Sequence, residues 1–151
     1  MKVLVFHIGH DRYGLRLTAI VRVLPLLELK HLPLVPDYVA GLMDLHGAPV
    51  PVIDLSRLAG LAPAALQFDT RIVVVDYRAP DGASRVLGLL ASRVRGIAEL
   101  ADGQLGEPGV VTAPFLGQVA SDADGMLQLI ELDQLLSPEV RALLFPRGST
   151  P

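Results

Sequence analysis

His7, His10 and Asp11 come closest in this chain to a metal-ligand pattern. A His-x-x-His-Asp grouping could serve a metal-dependent phosphohydrolase, in which His-Asp neighbours ligate the metal from helices. Here the two histidines straddle a predicted strand end and a turn, and no other acid–histidine cluster completes a site. They therefore read as solvated turn residues. Asp122-Ala123-Asp124-Gly125 looks like the opening of a calcium loop, which needs a third oxygen ligand and a glutamate at fixed spacing. Leu127 and Leu129 stand where those ligands would be, so the segment reads as a hairpin turn. No serine lies in a G-x-S-x-G elbow, and neither G-x-G-x-x-G nor a P-loop is present. Gly109 and Gly117 are isolated glycines without phosphate-cradle spacing. Cysteine is absent, which removes disulfides, thiolate zinc sites and thiol nucleophiles together. The chain offers no catalytic set, no metal site and no cofactor site; what remains is surface for binding another protein.

The elements that must carry such a surface are short. Apolar runs and alternating patterns predict strands over 3–8, 13–17, 20–24, 42–46, 50–54, 71–77, 86–90, 94–100, 115–120 and 126–130. Turn chemistry separates them: Gly9-His10-Asp11, Gly47-Ala48-Pro49, Pro80-Asp81-Gly82 and Asp122–Gly125. Pro49 and Pro51 deny the 50–54 strand backbone donors at its start, which places that start at an edge or a bulge. Short helical stretches are predicted at 36–40, at 55–61 behind an Asp54 N-cap, at 133–136 and at 139–145. Residues 62–69 and 101–114 read as loops, and 147–151 as a frayed tail. Many short strands with a few one- or two-turn helices predict an all-β barrel class and no βαβ units.

Composition agrees. The chain has 151 residues, half of them apolar, enough for one domain or two small barrels sharing a core. The formal charge is −3 with acids and bases interspersed, which excludes the basic stripe of a nucleic-acid binder. The N-terminus lacks the longer apolar segment of a signal peptide, and no apolar run approaches a membrane span. These features predict a soluble cytoplasmic protein without membrane insertion.

On the predicted strands, Arg22 sits between Val21 and Val23, and Asp44 and His46 share one face of the 42–46 strand. Residues 41–55, GLMDLHGAPVPVIDL, resemble the core motif of the CheW-like domain, the bacterial chemosensory coupling module. Further marks follow in order: Phe6 with Tyr13-Gly14, the 20–24 strand, Leu32-Pro33 with Pro36, the RIVVV strand from Arg71, the 87–94 stretch before Gly96, and the 127–136 strand and helix.

The resemblance spans about 2–145. It implies two small five-stranded SH3-like barrels packed together, with residues 146–151 as a flexible tail. It implies a non-catalytic adaptor that joins the cytoplasmic tip of a methyl-accepting chemoreceptor to the regulatory domain of a CheA-type histidine kinase. Such a protein is cytoplasmic and peripheral to receptor arrays. No histidine-kinase or receiver domain accompanies these residues, as expected of a standalone coupler. Ile20, Arg22, Gly41, Asp44, His46 and Gly47 fall on the family's partner-contact positions. Where the family usually has Glu, Arg and Asn, this chain has Arg22, His46 and Asp44, so Arg22 is expected to meet Asp44 in a rewired charge pattern. The alternative is an SH3-like binding module outside chemosensing.

Overall fold

A computed structural model describes residues 1–64, 69–78 and 82–146. The predicted Pro80-Asp81 turn, the middle of the 62–69 loop and the 147–151 tail lie outside them. The described strands are β1 (Lys2–Ile8), β2 (Asp11–Arg16), β3 (Ile20–Leu24), β4 (Val39–Leu45), β5 (Ala48–Asp54), β6 (Arg71–Arg78), β7 (Ser84–Glu99), β8 (Leu105–Gly106), β9 (Leu116–Asp122) and β10 (Gly125–Ile130). Two short α-helices, α1 (Leu55–Leu58) and α2 (Pro138–Leu144), join three single 3₁₀ turns.

The strands form two five-stranded SH3-like barrels that share one strand. β7 runs for 16 residues. Its first half pairs antiparallel with β6 and parallel with β5, and its second half pairs with β1. One barrel comprises β4, β5, β7, β6 and β3; the other comprises β7, β1, β2, β10 and β9, with the short β8 on the edge of β9. The sequence reading split β7 into two strands. The cause is local: Arg93 (φ 49°) and Gly96 (φ 143°) adopt left-handed backbone, and the register against β1 slips between Val5 and His7. A bulge of this kind breaks the alternation without ending the strand.

Sharing strands explains the unbroken apolar runs. Val3 and Val5 of β1 face the interior of one barrel with Leu127 and Leu129, whereas Leu4, Phe6 and Ile8 face the junction. In β6, Ile72 and Val74 fill the other barrel with Val50 and Val52, whereas Val73, Val75 and Tyr77 face the junction. Both faces are buried, so neither strand alternates with polar residues. Leu132 from the C-terminal 3₁₀ turn, Leu136 from the link that follows it and Val140 from α2 cap the junction.

Asp54 caps α1 as expected: its carboxylate accepts from the backbone N–H of Ser56 at 3.0 Å and Arg57 at 3.4 Å, and also from Ala64 at 3.1 Å. The helix ends at Leu58, shorter than the 55–61 expectation. The expected helical turn at 36–40 is absent. Val39 N–H donates to the Pro36 carbonyl, closing a turn, and β4 begins at Val39, which is buried opposite Ile53.

Candidate functional site

Among the described strands β3 pairs with β6 alone, leaving its other backbone edge without a strand partner among them. Ile20 lies opposite Val75 and Arg22 opposite Val74, so Val21 is an inserted residue. The bulge shifts the side-chain phase, and Val21, Arg22 and Val23 all become exposed, the valines by 54% and 42%. Two exposed valines flanking one arginine on an open sheet edge give apolar area that a binding partner could cover.

The β4–β5 hairpin projects beside this edge. Leu45 and Ala48 pair across a two-residue turn, His46 (φ 52°) and Gly47 (φ 86°), both left-handed. That geometry is a type I′ turn, the connection whose twist matches antiparallel strands. Glycine adopts it freely; histidine does so at some cost. Asp44 Oδ1 accepts from the Gly47 N–H at 2.8 Å and braces the turn. Counting from the turn, Pro49 and Pro51 fall at positions whose N–H would point away from β4. β5 meets β7 only from Val52, so their missing donors cost no sheet bond, as the edge expectation required.

His46 therefore lies in the turn and not on the strand face where sequence placed it. Arg22 does not meet Asp44 either: its Nη1 lies 3.1 Å from His46 Nε2. The Asp44 carboxylate is committed to the turn backbone, which leaves the imidazole as the group Arg22 reaches.

Gly41 is buried behind this surface. With φ 148°, it passes so close to the preceding segment that a Cβ would lie 2.5 Å from the Lys30 carbonyl oxygen. That approach lets Lys30 and Leu42 exchange two backbone hydrogen bonds, at 2.8 and 2.9 Å. The bridge seats residues 28–30 along β4 and forms an open groove of about 510 Å³ between Glu28, Leu29, Lys30, Asp44, Gly47 and Pro49. Ile20 is half-buried and packs on the junction core. Of the six expected site residues, Arg22 and His46 touch, Asp44 and Gly47 shape the turn, and Ile20 and Gly41 support from behind.

The polar clusters set aside at the outset have other partners. Burial and the neighbouring Arg93, Arg12 and Arg95 hold His7 below the usual imidazole range, surroundings hostile to a metal cation. Asp122 accepts two hydrogen bonds from Arg12, at 2.8 and 3.0 Å, and one from the Asp124 N–H. Those bonds hold its carboxyl below the usual range and occupy the oxygens a calcium ion would need. Among the described residues no group of three or more His, Cys, Asp or Glu side chains could hold a metal ion, and no helix is long and apolar enough to cross a membrane.

Residues 2–140 match the family model for the CheW-like domain. The chain is 25% identical to the chemotaxis protein CheW of Klebsiella aerogenes, covering 93% of this chain and 84% of that protein. It is 26% identical to the chemotaxis protein CheW of Rhizobium meliloti, covering 93% and 90%. Among solved structures, the scaffolding protein TtCheW from Thermoanaerobacter tengcongensis is similar, with a TM-score of 0.81, 25% identity, and coverage of 92% of this chain and 89% of that one.

Proposed function

The chain belongs to the CheW-like domain family, and on that premise we propose that it is a non-catalytic adaptor coupling the cytoplasmic tip of a methyl-accepting chemoreceptor to the regulatory domain of a CheA-type histidine kinase. It acts on the cytoplasmic side, peripheral to receptor arrays, as one unit spanning 2–145. The observation that carries this reading is likeness along nearly the whole chain to a scaffolding protein of the same two-barrel fold.

The contact surface is the β3 edge with the β4–β5 turn. Arg22 and His46 contribute charge and hydrogen bonding, and Val21 and Val23 contribute apolar area. Asp44 and Gly47 set the turn, while Gly41 and Ile20 hold the two segments in place. Preformed backbone limits the ordering cost of binding. The experiment is reconstitution: the full chain is mixed with a CheA-type kinase and a methyl-accepting chemoreceptor of the same organism, and complexes are separated by size. A ternary complex is expected. If neither protein binds, the adaptor reading falls and a binding module outside chemosensing takes its place.

A further inference from the structure

We infer that Arg22 and His46 together form a carboxylate-selecting contact that strengthens when His46 takes up a proton. The inference deepens the adaptor reading and rests on it.

An arginine guanidinium has donors only and keeps its charge at any working pH. In its 3.1 Å contact with Arg22 Nη1, His46 Nε2 must therefore be the acceptor, with the ring neutral and its hydrogen on Nδ1. A proton on Nε2 removes that lone pair and sets a second positive charge against the first. Both side chains are exposed, so they can separate without opening the core. The charged groups around His46 are Arg22 from β3 and Asp44 from β4, with Glu28 and Lys30 farther along the groove. Asp44 already holds the Gly47 N–H. Among the described residues, no carboxylate forms an ion pair with Arg22 or with His46.

Two basic side chains without an internal anion fit a partner that supplies one. A carboxylate from Asp or Glu can accept from Arg22 Nη and from a protonated Nε2–H at once. With His46 neutral, the same carboxylate must displace the imidazole from Arg22 and gains one charged donor instead of two. Histidine is the side chain whose charge changes between about pH 5 and 8. Binding should therefore tighten toward the acidic end.

Affinity of the full chain for the kinase regulatory domain is measured from pH 8 to pH 5.5, for the wild type, His46→Gln and His46→Lys, with circular dichroism as a fold check. An exposed charge contact is worth less than about 1 kcal/mol, so wild type should gain about twofold to fivefold relative to His46→Gln across that range. His46→Lys should bind at the acidic level throughout. Ring ¹⁵N shifts of the free protein at pH 8 should show His46 protonated on Nδ1. Equal pH profiles for wild type and His46→Gln, or an Nε2–H tautomer at pH 8, would overturn the inference while leaving the adaptor reading intact. No binding to the kinase regulatory domain at any pH, together with no complex in the reconstitution, would sink the adaptor reading and this inference with it.

Discussion

Replacing Gly41 with alanine tests the packing that holds the candidate surface together. The added Cβ would sit 2.5 Å from the Lys30 carbonyl oxygen and 3.2 Å from Leu29 Cβ, on backbone at φ 148°. Holding a non-glycine residue in that region costs about 1–3 kcal/mol. The Cβ cannot be relieved by a rotamer change, because the clash is with backbone. Either Gly41 or Lys30 must move, and the two Lys30–Leu42 hydrogen bonds weaken, each worth about 1 kcal/mol net. Alanine also narrows the unfolded ensemble, which offsets less than about 1 kcal/mol. The expected loss is about 2–4 kcal/mol. For a chain of this size that lowers the melting temperature by roughly 5–15 °C. Urea or thermal unfolding reads the loss, and amide exchange at Lys30 and Leu42 locates it. Gly41→Val should be worse. If Gly41→Ala melts within about 1 °C of wild type and keeps both amides protected, the close approach is not what demands glycine.

Substitutions at three further positions probe other parts of the molecule. Asp54→Ala removes a helix cap and strands the buried Ala64 N–H, at about 2–4 kcal/mol in urea unfolding, and Asp54→Asn should recover part of it. Asp122, first by its hydrogen bonds from Arg12, titrates below the ordinary carboxylate range in the folded state. Its contribution is therefore present above the unfolded value and is lost as pH falls through the folded one; acid unfolding of Asp122→Asn should lack that component. Val23→Asp exchanges an exposed apolar side chain on the β3 edge, so melting should stay within about 2 °C while affinity for the kinase regulatory domain falls more than about fivefold. Unchanged affinity would remove Val23 from the contact surface.

Local chemistry was readable from sequence where one residue decides the outcome. The Asp54 cap, the turn at Asp122–Gly125 and the hairpin through Gly9 all follow from short-range rules. So did the edge position of Pro49 and Pro51. What eluded sequence depends on neighbours distant along the chain. The parallel pairings of β5 with β7 and of β10 with β2 leave no signature in a single strand. What demands Gly41 is its close approach to the Lys30 carbonyl, which belongs to a different segment. The Arg22–Asp44 expectation assumed unbroken period-2 alternation. A bulge at Val21 and a left-handed His46 each shift that phase, and together they exchange an acid partner for an imidazole. The family resemblance pointed to Arg22, Asp44, His46 and Gly47, which the fold gathers beside the β3 edge; the partner of Arg22 depends on the turn geometry that only the folded chain sets.

The shared strand also orders events during synthesis. The barrel carrying the β3 edge and the β4–β5 turn draws all its strands from the stretch that ends within β7. The other barrel begins with β1 and β2 but needs β9 and β10 from the far end; Arg12 waits for Leu127. While the ribosome is still making those last strands, β2 has no neighbour on its second edge. The proposed contact surface can thus be complete before the barrel built from β1, β2, β9 and β10 has closed.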